Sequence, residues 1–289
     1  MRRGRVRPAR HAFRHRRDGL WAHRRGGGVI EVDTRVVTGQ GRFQLRKGAR
    51  SLYSVDNPAL HPSAYPSSRV PMPEVIFPGP EGRLEGRFAP GPRPRAPVAM
   101  ILHPHPSAGG TMNNAIVQQL YKTFQRRGFA TLRFNFRGVG KSQGVFDNGV
   151  GELSDAASAL DWVQSFHPEA QTTWIAGVSF GAWIGMQLLM RRPEIRGFIS
   201  VAPPANLYDF TFLAPCPSSG IIIQGEADEV ATPGATQKLV DKLRTQKHIT
   251  IHHDTIPKAN HFFEHEMPEL MGSVDKYLDM RLDPNSPIR

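Results

Sequence analysis

Thr173-Trp174-Ile175-Ala176-Gly177-Val178-Ser179-Phe180-Gly181-Ala182-Trp183 is an apolar run that passes through Gly-x-Ser-x-Gly into helix-compatible sequence. Trp174 to Ala176 reads as a short buried strand, and Phe180 to Arg191 as a helix with apolar positions at Trp183, Ile184, Met186, Leu188 and Leu189. A serine between the two must sit on a sharp strand-to-helix turn, in a strained backbone conformation that leaves its hydroxyl above the sheet. Gly177 and Gly181 remove the two Cβ atoms that would collide where strand and helix pass closest.

The flanking sequence repeats the alternation of strand and helix. Downstream of two short strands, Glu74 to Pro78 and Arg83 to Ala89, and a Pro/Gly-rich linker, Pro97 to Leu102 is continuously apolar, as a strand buried on both faces should be. Strands follow at Ala130 to Phe136, Gly197 to Ala202, Gly220 to Gln224 and Ile249 to Ile256. Helices fall at about Asn114 to Arg127, Leu153 to Ser165, Thr236 to Arg244 and Pro268 to Met280. This order predicts an α/β fold with a doubly wound, mostly parallel sheet flanked by helices, and no insertion long enough for a large lid domain.

Charge separates the first quarter of the chain from the rest. Residues 1–71 carry 15 Arg and one Lys against four acids, so 16 minus 4 gives +12, the whole formal net charge. Residues 72–289 carry 21 basic and 21 acidic residues. The basic character therefore belongs to a leader and says nothing about the ligand of the folded part. That leader lacks periodic apolar residues to offset ordering entropy and reads as unfolded, with Met72 as an alternative start and residues 72–289 as the domain. It has no recognition helix for nucleic acid, and its first serine is Ser51, unlike a Ser-rich transit peptide. No apolar run suits a secretory signal or a spanning helix, so no membrane partner is expected. The single cysteine, Cys216, fits a reducing, cytoplasmic compartment and a structural role.

A serine hydroxyl needs a base within hydrogen-bond reach, and the base an orienting carboxylate. In a doubly wound sheet such groups belong just past the carboxyl ends of strands. Asp228 stands four residues after the strand ending at Gln224, and His261 five after the strand ending at Ile256. Glu226, Glu229 and Asp209 are alternative acids, and His252, His253 and His265 weaker bases, the first two lying inside a strand. His103 and His105, spaced by one proline and without a carboxylate cluster, fall short of a metal site. The Gly-rich turn Arg137 to Gly144 contains Gly140-Lys141-Ser142 but lacks the first glycine of a P-loop, where Asn135 stands.

From about Met72 the chain resembles an α/β-hydrolase, whose nucleophile, acid and histidine follow the order Ser179, Asp228, His261. Leu102 to Pro106, Asn135 to Ser142 and Asn260 to Phe263 are similar to small lid-poor bacterial hydrolases close to the dienelactone hydrolases and soluble carboxylesterases. Two departures stand out: dienelactone hydrolases use a cysteine where this chain has Ser179, and His103-Pro104 replaces a common His-Gly. The resemblance implies a carboxylic ester hydrolase acting on small soluble acyl esters through an acyl-enzyme, without cofactor or metal. A peptidase, a thioesterase or a non-catalytic binding protein shares the same framework. Acyl transfer also needs two backbone N–H groups aimed at the oxyanion. Phe180 supplies one; in the next loop Pro104 and Pro106 have none to offer, which leaves His105, with Ser107 behind it.

Overall fold

The computed structural model describes residues 74–283, together with a short antiparallel pairing of Ala22–His23 with Glu31–Val32. The expectations for the basic leader and for Met72 lie outside the described residues. The chain divides into two units, Met1–Arg69 and Val70–Arg289, and the second carries everything that follows.

Its sheet has eight strands: β1 (Glu74–Gly79), β2 (Gly82–Ala89), β3 (Val98–Leu102), β4 (Ala130–Phe134), β5 (Thr173–Val178), β6 (Ile195–Val201), β7 (Gly220–Gly225) and β8 (Ile251–Ile256). They lie in the order β8-β7-β6-β5-β3-β4-β2-β1. The pairs of β2 with β1 and with β4 are antiparallel, and all other pairs are parallel. The helices are α1 (Ala115–Arg126), α2 (Val150–Phe166), α3 (Phe180–Leu189), α4 (Pro233–Arg244) and α5 (Met267–Leu282).

The doubly wound expectation holds, and its cause is visible strand by strand. Along β3, Val98, Met100 and Leu102 join the core beneath α2, α3 and α4, while Ala99 and Ile101 join the core beneath α1 and α5. Burial on both faces is why this run shows no polar alternation. Each such Val, Leu or Ile contributes about 1.5–3 kcal/mol relative to exposure.

Two boundaries depart from the sequence reading for local reasons. Helix α2 starts at Val150 because the Glu152 carboxylate accepts the N–H groups of Asp147 and Gly149 at 2.9 and 2.7 Å, ahead of the first apolar repeat. Strand β4 stops at Phe134 because the Phe136 N–H is donated to the His103 ring, 3.1 Å away, and not to a neighbouring strand.

The turn at Ser179 joins β5 to α3 with no room for side chains on either flank. Ser179 has φ 54° and ψ −119°, a region that costs a non-glycine residue about 1–3 kcal/mol. A Cβ on Gly177 would lie 2.3 Å from the Gly181 carbonyl oxygen, and one on Gly181 would lie 2.5 Å from those of Leu102 and His103. Both glycines thus let β5, α3 and the end of β3 touch through backbone.

Strain at this position predicts an inverted order of stability between two variants that both lack the hydroxyl. Ser179→Gly should be more stable than Ser179→Ala by about 1 kcal/mol in urea unfolding, whereas alanine is normally the better residue. Equal stability, or a more stable alanine variant, would show that the turn is unstrained.

Candidate active site

The carboxyl ends of β5, β7 and β8 bring Ser179, Asp228 and His261 together. The His261 Nε2 lies 3.0 Å from the Ser179 hydroxyl oxygen, and the Nδ1 lies 2.8 Å from Asp228 Oδ2. Asp228 is saturated as an acceptor: Oδ1 takes the N–H groups of Val230 and Ala231, both at 2.8 Å, and Oδ2 also takes the Gln224 side-chain amide at 2.9 Å. With its oxygens accepting, Asp228 leaves the His261 Nδ1 as donor and Nε2 as acceptor for the serine proton. All three residues are buried, which keeps competing water from the bonds between them.

Gln224 was not singled out in the sequence. Its amide also donates to the Ala231 carbonyl at 2.8 Å, and its oxygen accepts the Thr236 hydroxyl at 2.8 Å. It therefore ties the end of β7, the turn that carries Asp228 and the first turns of α4 into one unit. A buried polar residue inside an otherwise apolar strand, Ile221-Ile222-Ile223-Gln224, was the available signal.

The loop after β3 is fixed by His103, which is fully buried. Its Nδ1–H donates to the Pro104 carbonyl at 2.6 Å and its Nε2 accepts the Phe136 N–H. Burial pushes its pKa down to about 4, against a smaller opposing effect of the Pro104 bond, so the ring is neutral and structural. The loop then folds on the His105 carbonyl, which accepts the N–H groups of Ala108 and Gly110. The Ser107 N–H is taken by the His105 ring at 3.1 Å. Of the two loop residues named as oxyanion donors, Ser107 is thus occupied, and neither the His105 nor the Phe180 N–H donates to a turn, loop or side-chain acceptor among the described residues. The His105 ring stacks obliquely on Phe180, with centroids 5.0 Å apart; burial lowers its pKa, and the Glu152 carboxylate opposes this.

Among the described residues, Asp228 is the acid at the His261 ring and His261 the base at Ser179, not one of the alternatives. Asp209 is exposed and accepts the N–H and hydroxyl of Thr211, both at 2.7 Å. Glu226 is exposed and accepts the Lys258 N–H at 3.0 Å, and Glu229 is exposed. His252 and His253 lie within β8, and His265 is exposed. Cys216 is buried, its thiol donates to the Ser218 carbonyl at 3.4 Å, and burial raises its pKa. In the Gly-rich turn, the Glu85 carboxylate accepts the Lys141 N–H at 2.8 Å and the Asn135 amide at 2.5 Å. A protein carboxylate occupies the cradle that a phosphate would need. Among the described residues no cluster of His, Cys, Asp and Glu could hold a metal ion, and no helix is long and apolar enough to cross a membrane.

Residues 88–255 match the family model described as X-Pro dipeptidyl-peptidase (S15 family). The chain is 51% identical over 211 residues to the uncharacterized protein RP471 of Rickettsia prowazekii, covering 72% of this chain and 89% of that protein. Among solved structures it is similar to protein ATU1826 of Agrobacterium tumefaciens, at 65% identity and a TM-score of 0.73, covering 74% of this chain and 98% of that one. It is also similar to XC6422 of Xanthomonas campestris, described as an α/β serine hydrolase without lid, at 32% identity and a TM-score of 0.65, covering 77% of this chain and 99% of that one.

The depressed His103 pKa makes stability depend on pH. Its folded value of about 4 lies below the ordinary 6.5, so on acidification the unfolded chain takes up the proton first. The contribution is complete above pH 6.5 and is lost as pH falls towards 4, about 2–3 kcal/mol by pH 4.5. Urea unfolding at pH 7.5 and 4.5 should show a smaller loss in His103→Gln than in wild type; equal losses would remove His103 as the cause.

Proposed function

Since this chain belongs to the α/β-hydrolase superfamily, within the X-Pro dipeptidyl-peptidase (S15) family, we propose that the serine hydrolase it represents is a carboxylic ester hydrolase for small soluble acyl esters. The observation that carries the reading is the continuous relay from Asp228 through His261 to Ser179, at 2.8 and 3.0 Å. Both distances fall within the reach required for proton transfer.

In this reading His261 Nε2 takes the hydroxyl proton as Ser179 Oγ attacks the ester carbonyl. Asp228 holds the ring and stabilises the imidazolium that forms. The Phe180 and His105 N–H groups receive the developing oxyanion, a contribution of about 3 kcal/mol per donor. The imidazolium returns its proton to the departing alkoxide, and a water activated by the same nitrogen then releases the acyl group. No step calls on a cofactor.

The family description favours a second reading, a peptidase. Removal of dipeptides would require an acidic group to hold the free substrate ammonium. Glu152, a buried carboxylate whose field reaches His105, accepts two backbone N–H groups and keeps acceptor sites for such an ammonium.

Turnover of p-nitrophenyl esters from acetate to laurate, beside an Xaa-Pro p-nitroanilide, separates the readings. We expect ester turnover that falls by several powers of ten in Ser179→Ala, and about 10⁴-fold in kcat for Asp228→Asn, which leaves the wrong histidine tautomer. Ser179→Ala retaining a tenth of the wild-type rate would remove Ser179 as nucleophile. Efficient anilide cleavage with little ester turnover would establish the peptidase instead.

A further inference from the structure

We propose that the acyl group of the substrate carries an aromatic ring, which lies against an arc formed by Phe146, Trp183 and Tyr208 around Phe180; this rests on Ser179 being the nucleophile. Phe180 is the hub. Its ring is buried, with centroid distances of 5.9 Å to Phe146, 5.7 Å to Trp183 and 5.9 Å to Tyr208. Trp183 and Tyr208 stack nearly parallel at 4.3 Å and 26°. The His105 ring closes the other end, 4.8 Å from Phe146.

Three separate segments at the carboxyl edge of the sheet supply this arc: the β4–α2 loop, the first turn of α3 and the β6–β7 connection. The hub is buried, whereas Phe146, Trp183 and Tyr208 pack against the core from its rim and are only half-buried.

The arc is also held in place before any ligand arrives. The Trp183 indole N–H donates to the Asp209 carbonyl at 3.0 Å. Its ring lies over Gly149, where a Cβ would come within 2.3 Å of Cζ3. A preorganised aromatic surface binds a flat ring without first losing side-chain freedom.

Position links the arc to the chemistry. Both residues whose N–H groups are assigned to the oxyanion belong to this ring cluster, Phe180 as its hub and His105 with its ring 5.0 Å from Phe180 and 4.8 Å from Phe146, so an acyl group on Ser179 Oγ lies beside it. The surroundings are apolar as well. Of the large hydrophobic side chains exposed among the described residues, Val145, Val150, Leu207, Val230 and Phe262 all stand at the same sheet edge. Ring-on-ring contact adds to area burial in a way that an alkyl chain cannot reproduce.

The test compares kcat/KM for p-nitrophenyl hydrocinnamate and p-nitrophenyl hexanoate, which share a leaving group. Wild type should favour the aryl ester about fivefold, the rate equivalent of one aromatic pair. In Trp183→Leu that ratio should fall to near one; being a ratio, it does not depend on how much of the variant folds. A wild-type ratio near one, or a preference that survives in both Trp183→Leu and Phe146→Leu, would overturn the proposal. Calorimetric titration of Ser179→Ala with methyl hydrocinnamate and methyl hexanoate gives the same comparison without turnover. Tighter aryl binding is expected there, and equal binding or none would overturn the arc even if no ester is hydrolysed, whereas a lack of turnover alone would count only against Ser179 as nucleophile.

Discussion

The backbone contact among β5, α3 and the end of β3 sets the rest of the molecule. Gly177 and Gly181 allow it, and Ser179 takes the strained conformation that it imposes. From that contact the Ser179 hydroxyl emerges where the carboxyl ends of β7 and β8 deliver Asp228 and His261. The same contact presses the Gly181 backbone against the Leu102 and His103 carbonyls, so the His105 loop and the Phe180 N–H are positioned by one junction. Strain at a single serine is the cost of aligning several groups that lie far apart in sequence.

Polar groups around this junction are committed to holding shape. Gln224 fixes the Asp228 turn, His103 fixes the loop after β3, Glu152 starts α2, and Glu85 fills the Gly-rich turn beside β2. Arg137 forms a bidentate pair with Asp155 at 2.8 and 3.0 Å, both side chains buried, which joins that turn to α2. Buried polar groups left unpaired would each cost about 1–3 kcal/mol, so the loops that flank Ser179 resist movement. Preorganisation of this kind is what electrostatic stabilisation of an oxyanion requires.

Much of this was legible in the sequence, and the reason is periodicity. The doubly wound order followed from apolar runs at β3, β5, β6 and β7, because strands buried on both faces lose their polar alternation. Ser179 was read from the Gly-x-Ser-x-Gly turn and Asp228 and His261 from their distance past strand ends, and the structure places the three within hydrogen-bond reach of one another. The parts that escaped depend on tertiary partners. Gln224 looked like the polar end of a strand, and His103, which fell short of a metal site, had no evident role until Pro104 and Phe136 appeared at its two nitrogens. The Gly-Lys-Ser turn gave no hint of Glu85, which comes from a strand more than fifty residues earlier. The aromatic arc is invisible for the same reason: its rings come from distant segments and meet only once the sheet is built.

The most direct measurement is reaction with a fluorophosphonate followed by peptide mapping, because an activated serine is phosphonylated where ordinary hydroxyls are not. A single adduct is expected on the peptide containing Ser179, lost on denaturation before labelling and strongly slowed in His261→Ala. An adduct on another serine with Ser179 unmodified, or labelling at Ser179 that is indifferent to His261, would contradict the central claim that the Asp228–His261 pair activates Ser179.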